Sequence, residues 1–122
     1  MELVNRVDAL RSLDSTETHA FDNGCGIGVV TKLLKNKFPD VDITATDASP
    51  GMIDVVTAHM KSLGWKDVKA AVADSRNLPE LPDNKFTHTF STFMICLAPE
   101  PDRIAQEMYR VTAPGGVLGL GV

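Results

Sequence analysis

Asp22-Asn23-Gly24-Cys25-Gly26-Ile27-Gly28 sets an acid just ahead of glycines at alternate positions. His19-Ala20-Phe21 before it reads as a short strand ending in Asp22. Val29, Val30, Leu33, Leu34 and Phe38 after it mark one face of a helix. Glycine lets a chain turn tightly and brings its backbone close to a ligand. A helix that starts there aims its N-terminal amides at the same point. A glycine loop between strand and helix also occurs as a bare turn, so its meaning depends on the surrounding chain.

Working outward, Pro39-Asp40 ends the helix, and Val41, Ile43 and Ala45 alternate as a second strand running into Asp47. Ser49-Pro50 starts a second helix, with Ser as cap and Pro in the first turn. Met52, Ile53, Val55, Val56, Met60 and Leu63 form its apolar stripe, and Gly64 stops it. Val68, Ala70 and Val72 predict a third strand ending at Asp74. Leu78 to Asn84 is a loop, and the Thr- and Phe-rich run Phe86 to Thr92 is a fourth strand. A helix opens at Pro99-Glu100-Pro101-Asp102 with Ile104, Ala105, Met108 and Val111 inward. Pro114-Gly115-Gly116 is a turn, and Val117 to Val122 is a fifth strand. Upstream of the loop, Leu3, Val4, Val7, Leu10 and Leu13 make an amphipathic helix of the first fourteen residues, followed by a turn at Asp14-Ser15-Thr16.

Strands that alternate with helices predict a parallel sheet with helices on its faces. Such sheets bind ligands beyond the carboxyl ends of their strands. Asp22, Asp47, Asp74 and Ser91 all fall at or near predicted strand ends.

The chain has 122 residues, enough for a single domain (1–122) in which residues 1–16 are a helix and turn ahead of the core. Hydrophobic residues at 43% and charged residues at 23% predict a globular fold rather than disorder. The net charge of -4, without a Lys/Arg stripe, argues against nucleic acid as a partner. No apolar run is long enough for a bilayer, and Met1 to Arg6 lacks the order of a signal peptide, so a cytoplasmic protein is expected. Two cysteines, Cys25 and Cys96, are too few for a disulfide scaffold, and no metal is expected.

A dinucleotide fingerprint needs glycines at the first, third and sixth places. Here they stand at the first, third and fifth, and Val29 holds the sixth. An acid at Asp22 is unfavourable beside a pyrophosphate and favourable beside the ammonium group of a methionine moiety. The loop therefore favours S-adenosylmethionine (SAM) over NAD or FAD.

At these residues the sequence resembles the class I SAM-dependent methyltransferases, in wording closest to small-molecule enzymes of fungal secondary metabolism. Asp22 to Gly28 is similar to the family's first motif, and Ala45-Thr46-Asp47-Ala48-Ser49-Pro50-Gly51-Met52 to its second-strand motif. Val72-Ala73-Asp74-Ser75-Arg76-Asn77-Leu78-Pro79 resembles the motif whose acid contacts the adenine amine. Phe86 to Thr92 resembles the fourth strand, and Glu107 to Gly116 the helix and turn before the fifth. The resemblance implies a Rossmann-like parallel sheet in the order 3-2-1-4-5 with flanking helices. It also implies that strands 6 and 7 of the full fold are missing, so that the chain is truncated after the fifth strand. Met94 to Pro99 carries no His, so no general base is assigned from that segment and the catalytic residues stay unknown.

The cofactor-binding set expected on this resemblance is Asp22, Gly24, Cys25, Gly26, Gly28, Asp47, Ala48, Met52, Asp74, Ser75 and Ser91. Asp47 suits a ribose diol, because one carboxylate accepts two hydroxyl hydrogens; the alternative is a surface charge. Asp74 accepts from the adenine amine or serves as a turn residue. Asp22 meets the ligand's ammonium or orders the loop amides. Met52 and Leu78 flank the adenine or simply pack. Cys25 and Cys96 follow neighbouring strands and line the cofactor rim, His88 belongs to the core, and His19 and His59 lie at the surface. Trp65 covers a helix end.

The expected function is methyl transfer to a small-molecule acceptor. The alternatives are a non-catalytic SAM-binding fragment or pseudoenzyme completed by a partner chain, and a SAM-fold protein with another reaction such as cyclisation. The unpaired edge at 117–122 predicts a homodimer or a partner chain there.

Overall fold

The computed structural model describes residues 2–92 and 98–121. Among these the chain forms α1 (Glu2–Leu10), β1 (His19–Asn23), α2 (Val29–Lys37), β2 (Asp42–Asp47), α3 (Pro50–Leu63), β3 (Val68–Val72), β4 (Phe86–Thr92), α4 (Pro101–Val111) and β5 (Thr112–Gly121). The strands make one parallel sheet in the order β3-β2-β1-β4-β5, as expected. Expectations that fall on Cys96, Met94, Ile95, Leu97 and Val122 lie outside the described residues.

Alternation along each strand divides the sheet into two faces. On one, Ala20, Ile43 and Phe90 pack with Val4 and Val7 of α1 and with Val30 and Leu34 of α2. Ala45 meets Ile53 and Val56 of α3 on the same side. On the other, Phe21 stacks on Phe86 with ring centroids 4.8 Å apart, beside Leu78 and Val111. Both faces are covered along β1, β2 and β4, which explains why these strands are buried on nearly every residue.

The sequence signals at α3 hold at both ends. Ser49 Oγ accepts from Met52 N, and Gly64 closes the helix in the left-handed conformation at φ 66°. The buried stripe is narrower than its apolar spacing implied. Ile53 and Val56 are buried, whereas Met52, Val55 and Leu63 are exposed. The helix packs on β2 and the edge strand β3, and part of its apolar face overhangs that edge.

Four further expectations are corrected. The first helix ends at Leu10, which is exposed; Leu13 reaches the core from the following turn, where its amide donates to Asp8 Oδ1 at 2.8 Å. Val29, at the first position of α2, is exposed as well. Ala105 is exposed, because α4 buries only Ile104, Met108 and Val111. The fifth strand begins at Thr112 rather than Val117, so Pro114-Gly115-Gly116 lies inside it. There the pairing with β4 shifts register between Phe86 and His88, and Gly115 takes φ 80°.

Long-range polar contacts fix the rest. Lys35 is buried, and its Nζ donates to the carbonyls of Pro39 (2.6 Å), Val41 (3.0 Å) and Lys66 (2.7 Å). All its donors are used, and it ties the end of α2 to the approaches of β2 and β3. His88 sits in the sheet interior, as expected. Its Nε2 lies 2.9 Å from the Arg11 carbonyl, which can only accept, so that nitrogen carries the proton and Nδ1 takes one from Thr87 Oγ1 at 2.7 Å. Burial lowers the His88 pKa. Gly119 permits α1 to lie on β5, since a Cβ there would stand 2.9 Å from Val7 Cγ2. Among the described residues, no helix is long and apolar enough to cross a membrane.

Candidate cofactor site

A cleft of about 620 Å³ opens beyond the carboxyl ends of β1, β2 and β3. Gly24, Asp47, Ala48, Asp74 and Ser75 line it, together with Asn23, Val72, Ala73, Arg76, Ala98 and Pro99. Its size suits a small-molecule ligand. These residues converge because three parallel strands end side by side and each strand releases its chain into the same rim.

The glycine loop is built against β2. The amides of Gly24 and Cys25 both donate to the Thr46 carbonyl at 2.8 Å, and Gly28 N donates to the Cys25 carbonyl at 2.9 Å. Gly26 N donates to Asp47 Oδ2 at 2.9 Å. Much of the loop's amide capacity is therefore spent on shaping the loop. Gly24, Gly26 and Gly28 all have positive φ, and Gly28 is also closely packed: a Cβ there would lie 3.2 Å from Val56 Cγ2. It stands at the start of α2, which has no side-chain cap.

Asp47 occupies the last position of β2 and is half-buried. Besides Gly26 N, it accepts from Ser49 N through Oδ1 at 2.9 Å. Each of its oxygens keeps a free lone pair, and the carboxylate is held rigidly at the cleft wall. Asp74, past the end of β3, accepts through Oδ1 from Arg76 N at 2.9 Å and through Oδ2 from Arg76 Nη2 at 2.9 Å. The Arg76 hydrogen bonds hold its carboxyl down at about 2. Asp74 is thus ionised and able to accept a further hydrogen bond.

Asp22 behaves differently. It is almost wholly buried; its Oδ2 accepts from Thr31 Oγ1 at 2.8 Å, and Oδ1 has no partner among the described residues. Burial pushes its carboxyl up to about 6, against the hydrogen bonds from Thr31. The amides of Gly24, Cys25, Gly26 and Gly28 go to Thr46, Asp47 and Cys25, so Asp22 orders none of these. Cys25 is buried, and burial, followed by the charges of Asp22 and Asp47, raises its thiol to about 12. It is a packing group beside Ala45, Ile53 and Val56, not a nucleophile.

Of the other expected residues, Met52 is exposed in the first turn of α3 and Leu78 is buried beside Phe21 and Phe86, so neither lines the cleft. Ser91 is buried near the end of β4, one position past the Asp22–Phe90 pair. Its Oγ, the Asn23 carboxamide and Thr46 Oγ1 form a polar row across β4, β1 and β2, without partners among the described residues. Sequence reasoning missed Asn23 and Arg76. Asn23 did carry a signal: a carboxamide where a buried strand calls for an apolar residue. Of the two other histidines expected at the surface, His19 is exposed and pairs with Asp42 at 2.8 Å, while His59 is half-buried, edge-on to Trp65.

Residues 20–116 match a family described as a methyltransferase domain. Methyltransferase tpcH of Aspergillus fumigatus is 28% identical over 102 residues, covering 80% of this chain and 36% of that protein. A malonyl-acyl-carrier-protein O-methyltransferase of Hahella chejuensis is 37% identical over 99 residues, covering 80% of this chain and 33% of that protein. The chain therefore spans about a third of the length of these curated relatives. Among solved structures, the 4+2 cyclase SpnF is 28% identical with a TM-score of 0.86, covering 98% of this chain and 43% of that one. A SAM-dependent methyltransferase from Aquifex aeolicus has the same fold at a TM-score of 0.83 and 22% identity, covering 98% and 62%.

Proposed function

The chain belongs to the class I SAM-dependent methyltransferase family, and we propose that it binds SAM across the carboxyl ends of β1, β2 and β3 and serves methyl transfer to a small-molecule acceptor. The observation that carries this reading is Asp47. It is a carboxylate locked by Gly26 N and Ser49 N at the cleft wall, with lone pairs to spare.

The donor set fits the cofactor. Asp47 accepts from the ribose hydroxyls, and Asp74, kept ionised by Arg76, accepts from the adenine amine. Gly24 and Ala48 line the cleft beside them without bulk that would fill it. The charge of Asp22, whose Oδ1 has no partner among the described residues, favours the ammonium end. SAM brings an electrophilic methyl group on a good leaving group, so the protein's share of the work is alignment and exclusion of water. A protein base is required only where the acceptor must lose a proton.

Calorimetric titration tests the cofactor. SAM or its demethylated product should bind better than NAD or FAD; equal or tighter NAD binding overturns the reading. Transfer of labelled methyl to a panel of phenols, carboxylates and amines tests the reaction. SpnF is a cyclase, and the likeness to it supports a second reading, in which the fold holds SAM for a reaction other than methylation. SAM binding with no labelled product across the panel favours that reading. The proposed partner site is the outer edge of β5, where a second copy or another chain adds a strand.

A further inference from the structure

Arg76 spans the mouth of the cleft. Its Nε and Nη2 donate to Asp74 at 3.1 and 2.9 Å, and its Nη1 donates to Glu100 Oε2 at 2.9 Å. Asp74 follows β3, at one edge of the sheet, and Glu100 is the residue that starts α4, which packs on β5 at the other edge. Arg76, Ala98 and Pro99 line the cleft with Asp74, so this single side chain joins the two walls that bound it.

Both anchors are prepared for the role. The turn that presents Arg76 is fixed by its own amide on Asp74 and by the backbone pairing of Asp74 with Asn77. Glu100 takes φ 54°, a left-handed conformation that costs energy in a residue with a Cβ. Its carbonyl accepts from Arg103 N at 3.0 Å, which holds it at the head of α4. No other long-range ion pair among the described residues bridges this cleft.

We propose that the Arg76–Glu100 pair is a latch across the cleft, and that its opening sets the rate at which an adenosine-bearing ligand leaves. The inference rests on the reading that SAM and its product bind here. Side chains this exposed, 35% for Arg76 and 51% for Glu100, are screened by salt and contribute little to stability. A small interaction still acts on release, because the latch must open before the ligand departs. Asp74 keeps Arg76 in place while Glu100 lets go, so the guanidinium is never left unpaired.

The test is the dissociation rate of S-adenosylhomocysteine, followed by stopped flow at low and high KCl. That ligand carries no net charge, so its own attraction to the cleft changes little with salt. In the wild type, dissociation should speed up about two- to fivefold at high salt, the range expected when an exposed pair is screened. Glu100→Gln should release the ligand that fast already at low salt and lose the salt response. Circular dichroism confirms that the variant is folded; if it is not, Glu100→Asp, whose shorter side chain withdraws from Arg76 Nη1 and leaves the Asp74–Arg76 contacts in place, carries the same comparison. Identical rates and identical salt responses in wild type and variant overturn the latch while leaving the cofactor reading intact. A wild type that binds no S-adenosylhomocysteine overturns the cofactor reading and the latch with it.

Discussion

Asp22 and Asp47 lie near the ends of neighbouring strands yet carry opposite burdens. Asp22 is buried, and its carboxyl titrates near 6 in the fold against 3.8 in the open chain. A carboxyl of this kind holds its proton more tightly folded than unfolded. The stabilisation is complete below about pH 4 and is lost as the pH rises through about 6, a difference of about 3 kcal/mol. Asp22→Asn keeps an acceptor for Thr31 and removes the charge. It should therefore be more stable than the wild type near pH 8, with the gap closing toward pH 4. Urea unfolding across that range decides the matter, and parallel curves for the two proteins would show that ionised Asp22 costs nothing. His88 works in the other direction, because its lowered pKa removes stability as pH falls below the ordinary histidine value. It is common to both proteins and cancels in the comparison. The cost of an ionised Asp22 is intelligible if its charge serves the ligand. SAM binding should then release a proton near pH 5, detectable by calorimetry in buffers of different ionisation enthalpy.

Asp47 contributes by position. Asp47→Ala should weaken SAM binding by about 1.5–3 kcal/mol, the range for hydrogen bonds to a charged group. The same change strips Gly26 N and Ser49 N of their acceptor, so part of the loss passes through the loop. Asp47→Asn separates the two effects, since its single carbonyl oxygen still serves one amide. A folded Asp47→Ala protein with unchanged SAM affinity would remove the residue from the site.

At the scale of elements, two positions hold the cleft in shape from a distance. Lys35 joins the end of α2 to the approaches of β2 and β3 through three carbonyls. Lys35→Met retains the stem and abandons those acceptors. The expected loss is about 3 kcal/mol or more, since each buried carbonyl left without a donor costs on the order of 1 kcal/mol. The denaturation midpoint reports it, and an unchanged midpoint would mean that water replaces the ammonium without cost. Gly28 stands at φ 91° against Val56. Gly28→Ala should cost about 1–2 kcal/mol from the backbone alone. It should also disturb SAM binding, because the loop and α3 must separate to admit the methyl group. Full stability in that variant would show that the loop relaxes freely.

For the whole molecule, the telling feature is the outer edge of β5. Val117 to Gly121 pairs with β4 on one side, and no described strand pairs with the other. Leu118 and Leu120 are exposed there, with no Lys or Pro between Val117 and Gly121 to discourage pairing. We propose that residues 1–122 on their own self-associate or take a partner strand along this edge. Sedimentation of the wild type beside a Leu118→Lys, Leu120→Lys variant measures it. A wild type that stays monomeric at high concentration, with rapidly exchanging amides in the strand, defeats the edge-pairing expectation in favour of a frayed strand.

Local sequence set the order of elements, the cap and stop of α3, and the acids waiting at the strand ends. Those features are written in local periodicity and in single residues such as Ser49 and Gly64, whose conformational preferences act within one turn. The strand order came only through resemblance, because nothing local says which strands are neighbours. Tertiary structure alone decided that Leu13 enters the core from a turn, that β5 begins at Thr112 around a register shift, and that half of the α3 stripe stays exposed. It also decided that Asp74 would be claimed by Arg76, and Arg76 by Glu100, partners 24 residues apart. The reason is physical. Propensity and periodicity report energies between residues a few positions apart, whereas an ion pair across a cleft or a glycine beneath a helix depends on how separate elements come to rest on one another.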